Sequence, residues 1–185
     1  MRKLKLQVQI SVDGYIAGPN GEMDWLVQNW DEPLKKYVTA ITEPVDCIVL
    51  GRKLAQGFIP YWALHPEQEG ADKFNHTAKV VFTKTLDRSE WDKTVLVKGD
   101  LVEEITQLKM QNGQDIIVYG GATFVSALVN HGLIDEYHLF VNPTAIGNGL
   151  TIFKELDHRQ NLNLVKSTSF DCSIVVLHYE PKRSE

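Results

Sequence analysis

Four short runs in this chain are apolar at nearly every position: Asp46-Cys-Ile-Val-Leu50, Lys79-Val-Val-Phe-Thr83, Thr94-Val-Leu-Val97 and Asp115-Ile-Ile-Val-Tyr119. A strand with one wet face alternates polar and apolar residues, whereas a strand covered on both faces does not. Covered strands belong to parallel sheets held between layers of helix. The segments around these runs have helical length and punctuation. Asp31-Glu-Pro33 opens a helix, because an acidic residue favours the N-terminal dipole and proline is tolerated in the first turn; Glu43-Pro44 closes it. Val102, Ile105 and Leu108/Met110 repeat at roughly helical spacing. Gly120-Gly121 turns into another helix, which ends near His131-Gly132. Leu4 to Ser11 reads as a first, period-two strand, and three strand-like runs close the chain at Glu136–Asn142, Leu162–Phe170 and Ser173–Glu180.

The expectation is a single α/β domain over residues 1–185, with a mixed, mostly parallel central sheet, antiparallel C-terminal strands and helices on both sides in three layers. Polar residues 63–76 are predicted to form an irregular loop, and the last four or five residues to fray. With 43% hydrophobic residues and a net charge of −5, the chain has enough apolar material for one core and no basic excess for nucleic acid. No apolar run approaches the roughly 18 residues of a membrane span. The charged start alternates with apolar residues, unlike a signal peptide, so the expected location is the cytoplasm, with Cys47 and Cys172 free and reduced. The six histidines show neither H-x-x-x-H nor H-E-x-x-H spacing, and no metal site is expected.

Three strand-to-helix junctions carry phosphate chemistry. At Val118-Tyr-Gly-Gly-Ala-Thr123 a buried strand stops at two glycines and a helix follows at once. Without side chains there, a pyrophosphate can approach the backbone, and the helix end offers free N–H groups and a positive dipole. The spacing is not G-x-G-x-x-G, which disfavours a standard Rossmann domain. Gly51-Arg52-Lys53 places two cations after a second strand, Arg as a bidentate fork and Lys as a point charge. Thr83-Lys84-Thr85 offers hydroxyl and ammonium groups suited to a phosphomonoester. Trp25, Trp30, Tyr61 and Trp62 read either as core or as the wall of a pocket for a flat substrate.

In this order the segments resemble the dihydrofolate reductase superfamily, and most closely the C-terminal reductase domain of bifunctional riboflavin-biosynthesis proteins. The resemblance rests on Ile10-Ser-Val-Asp-Gly-Tyr-Ile-Ala17, Leu50-Gly-Arg-Lys53, Val118-Tyr-Gly-Gly-Ala-Thr123, and Gly132-Leu-Ile-Asp-Glu-Tyr-His-Leu139 with Pro143-Thr-Ala-Ile-Gly-Asn-Gly149, and spans roughly residues 4–180. It implies an NADPH-dependent reductase. Gly51, Arg52 and Lys53 would then meet the cofactor phosphates, and Thr83 and Lys84 the 2′-phosphate side. Gly120, Gly121, Ala122 and Thr123 would hold the pyrophosphate, and Ile16 and Ala17 would border the nicotinamide. Asp13 would sit at the nicotinamide–substrate junction as a proton relay or substrate ligand; its place before Gly14 equally suits an Asx turn. The first expected substrate is a phosphoribosylaminopyrimidine, with another pterin, or a nucleotide-binding module without turnover, as alternatives. The family pattern departs here at Gln7, where those reductases carry lysine, and at Lys35 and Lys36, where folate reductases carry a helical carboxylate. The resemblance also implies a homodimer.

Overall fold

The computed structural model describes residues 1–154 and 156–182. In chain order the elements are β1 (Leu4–Ile10), α1 (Glu32–Thr42), β2 (Val45–Gly51), α2 (Arg52–Leu64), α3 (Ala71–His76), β3 (Ala78–Phe82), β4 (Thr94–Val97), α4 (Leu101–Met110), β5 (Asp115–Val118), α5 (Ala122–Asn130), β6 (Glu136–Val141), β7 (Leu162–Ser169) and β8 (Val175–Pro181). The strands form one sheet in the order β4-β3-β2-β5-β1-β6-β8-β7. All pairings among β1 to β6 are parallel, while β8 runs antiparallel to both β6 and β7. This is the expected mostly parallel sheet with an antiparallel C-terminal addition.

The run at Thr94–Val97, expected to be similar to the other apolar runs, is the edge strand β4, with Val95 exposed for want of a further strand or helix among the described residues. The runs at β2 and β5 are covered on both faces. One face packs Leu4, Leu6, Val8 and Ile10 of β1 and Val49 of β2 against Ile105 and Leu108 of α4 and Val125, Leu128 and Val129 of α5. The other face carries Ile48, Leu50 and Ile117 under Ala55 and Ile59 of α2 and Phe74 of α3. Farther along that face, Leu34 and Ile41 of α1 cover Phe140 and Val176. Strand β1 departs from its period-two reading. It lies mid-sheet, so Lys5 and Gln7 are buried along with the leucines.

Residues 63–76 are not one loop. Helix α2 runs on to Leu64 with Pro60 inside it, and α3 begins at Ala71, leaving 65–70 irregular. The polar composition hid an aromatic anchor. Phe58 and Trp62 pack on Phe74 with ring centroids 5.2 and 5.7 Å away, so both helices have an apolar face to bury. The expected fraying of the chain end falls largely on residues 183–185, outside the described residues.

Candidate cofactor and substrate site

Because β1 to β6 run one way, their carboxyl ends share one edge of the sheet. Thr83 follows β3, Gly51 ends β2 and Gly120 lies just beyond β5. These three strands are neighbours, so the three phosphate-type junctions span only about 10 Å at ordinary strand spacing. In open α/β sheets ligands bind outside this edge.

The helix N-termini differ in their caps, and α3, like α2 and α5, starts from an uncapped glycine, Gly70. Helices α1 and α4 are capped by carboxylates: Leu34 N–H donates to Asp31 at 2.8 Å, and Val102 and Glu103 N–H donate to Asp100. Helices α2 and α5 start from Gly51 and Gly121 with no side-chain cap, which leaves their first N–H groups to a ligand or solvent. The two uncapped ends abut. A Cβ on Gly51 would come within 2.9 Å of Phe124 Cβ, and one on Gly121 within 3.8 Å of Leu54 Cβ. Gly120 and Gly121 have φ of +148° and +86°, and nothing lies within 4 Å of where a Cβ on Gly120 would sit. The turn is therefore an open backbone cradle of the kind a pyrophosphate fits. Gly51 is small for a second reason that the sequence does not show, the close approach of Phe124.

The cations follow the ends of β2 and β3 in the chain. Arg52 is partly exposed, with Nη1 donating to Gln56 Oε1 at 3.0 Å, and Lys53 and Lys84 are exposed. Ala122 opens α5, and Thr123 faces solvent in its first turn. Thr83 is buried, and its hydroxyl oxygen accepts from Thr85 and Leu86 N–H at 3.1 and 3.0 Å. It thus shapes the turn that projects Lys84.

Beyond β1 and β6 two loops are zipped together. Val12 N–H donates to Thr144 O, while Ile16 N–H and Ala17 O bond to Leu150. Ile16 and Ala17 are consequently buried at the carboxyl end of β1. Asp13 is the clasp. One carboxylate oxygen accepts from Ser11 Oγ at 2.7 Å and Ile146 N–H at 3.1 Å, and the other from Gly147 N–H at 2.7 Å. The Ser11 hydroxyl, followed by these backbone donors, holds the Asp13 carboxyl below the usual carboxylate range. Such a group holds two loops together and has no proton to deliver near neutrality.

Alongside α1 runs a groove of about 740 Å³, bordered by Lys35, Val38, Thr39 and Thr42, with Trp30 and the 68–73 segment completing it. Its size suits a small-molecule ligand. Gln9 reaches it from β1, and fully buried Asn142 fixes that amide. Asn142 accepts from Val27 N–H at 2.9 Å and donates to Gln9 Oε1 at 2.8 Å. The bond to Asn142 engages the oxygen of Gln9 and not its NH₂. Lys35 pairs with Glu32 at 2.9 Å and Glu69 at 3.4 Å, tying α1 to the opposite rim, while Lys36 is exposed and lines no part of the groove. Of the four aromatics considered for a pocket wall, only Trp30 borders this groove. Trp62 belongs to the α2–α3 packing, and Tyr61 and Trp25 lie elsewhere. The roles of Gln9 and Asn142 were missed from sequence; the only signal was the polar phase of β1.

A larger depression, about 1140 Å³, lies by the amino ends of β2, β3 and β4, away from the phosphate-type junctions. No helix among the described residues is long and apolar enough to cross a membrane.

Comparison with known proteins agrees with this fold. The uncharacterized protein YyaP of Bacillus subtilis (strain 168) is 30% identical, over 96% of this chain and 94% of that protein. A Shewanella sp. PV-4 crystal structure named for riboflavin biosynthesis superposes with a TM-score of 0.77 at 26% identity, covering 99% of this chain and 100% of that one. The Thermotoga maritima diaminohydroxyphosphoribosylaminopyrimidine deaminase/5-amino-6-(5-phosphoribosylamino)uracil reductase gives a TM-score of 0.71 at 17% identity. There the match covers 98% of this chain and 57% of the longer one. The RibD C-terminal domain profile matches residues 2–176, from the first strand into the last, and the chain belongs to that family.

Proposed function

We propose that the chain is an NADPH-dependent reductase. The observation that carries this reading is the pair of uncapped helix N-termini, α2 at Gly51 and α5 at Gly121, abutting at the carboxyl edge, with Arg52 and Lys53 in the first turn of α2. Gly120, Gly121, Ala122 and Thr123 would bind the pyrophosphate through backbone N–H groups and the Thr123 hydroxyl, with Arg52 and Lys53 adding charge. Lys84, carried on the Thr83 turn, would meet the 2′-phosphate. When bound, the cofactor supplies a hydride. The chain's own work is placement: Ile16 and Ala17 form an apolar wall, and Asp13 holds the loop carrying them against Ile146 and Gly147. The groove beside α1 would hold the acceptor, with the Gln9 amide donating to a ring carbonyl.

The first substrate class is a phosphoribosylaminopyrimidine, as acted on by the Thermotoga protein. The test is titration of the purified protein with NADPH and NADH, followed by NADPH oxidation with a panel of aminopyrimidine and pterin acceptors. Tighter NADPH binding and turnover of a ribosylated pyrimidine are expected. No binding of either nucleotide removes the reading, and binding without turnover of any acceptor leaves a nucleotide-binding module.

A further inference from the structure

A second cluster of chemistry lies on β6 and β8, and none of its members lines the groove. Glu136 and His138 are two residues apart on β6 and so share a face of the sheet. His178 of β8 is the cross-strand partner of His138. Glu136 and His138 are buried, and His178 is partly exposed. Glu136 Oε2 lies 3.4 Å from His138 Nε2 and 3.9 Å from His178 Nε2, and one donor atom from each residue falls within 4.8 Å of the others.

Two of the three residues are oriented from behind. Lys3 Nζ donates to Glu136 Oε1 at 2.6 Å, which turns the second carboxylate oxygen toward the imidazoles. The Tyr37 hydroxyl of α1 lies 2.8 Å from His138 Nδ1. His178 Nε2 is buried without a hydrogen-bond partner, a position that costs free energy unless something binds there. Two imidazoles and a carboxylate are the donor set of zinc-type sites, and here Glu136 and His138 are each held by an outer partner. Ligands bonded at about 2.0–2.2 Å to one tetrahedral ion stand roughly 3.3–3.5 Å apart; the Glu136–His138 separation of 3.4 Å is already there, while His178, 3.9 Å from Glu136, has to move in.

We propose that Glu136, His138 and His178 bind a divalent transition-metal ion of the zinc class. Two nitrogen donors select against calcium and magnesium, which take oxygen. The imidazole rings stack 4.3 Å apart and 19° from parallel, so binding must splay them until both in-plane lone pairs meet the ion. Bound there, the ion cross-links β6 to β8 and completes three protein ligands, with water in the fourth position.

The test uses the whole chain, freed of metal by chelation and titrated with Co²⁺ and Zn²⁺. One equivalent of Co²⁺ is expected to give visible d–d absorption of a tetrahedral site, and Zn²⁺ is expected to displace it and raise the melting temperature. His178→Phe keeps a ring in the stack and is expected to weaken Co²⁺ by at least about tenfold, on the scale of losing ligand-shell contacts. Absence of the band in the wild-type chain overturns the site. So does unchanged affinity in folded His178→Phe, which would put the ion on surface histidines. Should that variant not fold, the ring resonances of His138 and His178 in the wild-type chain decide: unmoved by Zn²⁺, they overturn the proposal.

Discussion

Lys79 leaves 2% of its surface to water, yet its ammonium group has work inside the protein: it donates to Thr77 O at 2.8 Å and lies 4.9 Å from the centre of the Phe74 ring. Burial pushes it down from 10.5 to about 8. Below pH 8 both folded and unfolded chains carry the proton, and the cost of burying the charge is present in full. Between about 8 and 10.5 the unfolded chain binds the extra proton, so stability rises with pH across that window. Urea unfolding near pH 7.5 and 9.5 should show the wild type gaining about 1–2 kcal/mol relative to Lys79→Met. Parallel changes in the two proteins would refute this. Arg52→Ala should weaken NADPH by about 1.5–3 kcal/mol, the scale of a charged hydrogen bond. A larger loss for NADPH than for NADH would place Arg52 near the 2′-phosphate, and equal losses would place it on the pyrophosphate. Cations beside strand ends are legible in a sequence because their neighbours in the chain are also their neighbours in space. Gln9 was not legible, since what fixes its amide is Asn142, brought beside it only by the pairing of β1 with β6.

Elements were the most readable level. The apolar runs at β2 and β5 are covered strands as read, the run at β4 is an edge strand with Val95 exposed, and Asp31-Glu-Pro33 announces a helix start through its cap. What failed was the 63–76 stretch, where the helix signal lies in aromatic packing between α2 and α3 and not in local polarity. Gly51 joins two elements, and its φ of −76° would suit any residue, so its cost of substitution is steric alone. Gly51→Ala should destabilise by about 1–3 kcal/mol, because the new methyl group overlaps Phe124. Phe124→Ala should recover part of that loss in the double variant, measured by denaturant midpoint; strict additivity would show that the two do not touch. Gly121, with φ of +86° and ψ of 96°, is a poorer place for such a test, since any side chain there strains the backbone as well as blocking the cradle.

At the scale of the whole molecule, the groove face of α1 presents Lys35, Val38, Thr39 and Thr42 and no carboxylate; the nearby acids Glu43, Glu69 and Asp72 are exposed. Folate reduction needs a negative partner for the protonated pterin. Dihydrofolate turnover, followed as NADPH oxidation near neutral pH, should be absent or at least about a thousandfold below that of a dedicated enzyme. The sheet's last strand, β7, is exposed along most of its length, with Leu164 and Val165 more than half exposed. A two-fold dimer through this edge is the expected assembly; a mass that stays monomeric at every concentration in sedimentation would exclude it. The strand order has a consequence for synthesis. The first strand made, β1, ends in the middle of the sheet, bonded on one side to Ile116 and Ile117 and on the other to Glu136 through Val141. As the chain leaves the ribosome, Leu4, Leu6 and Val8 have no partners until most of the protein exists. Closure of the sheet around β1 waits on β5 and β6, and a ribosome stalled before β6 should display β1 open to protease.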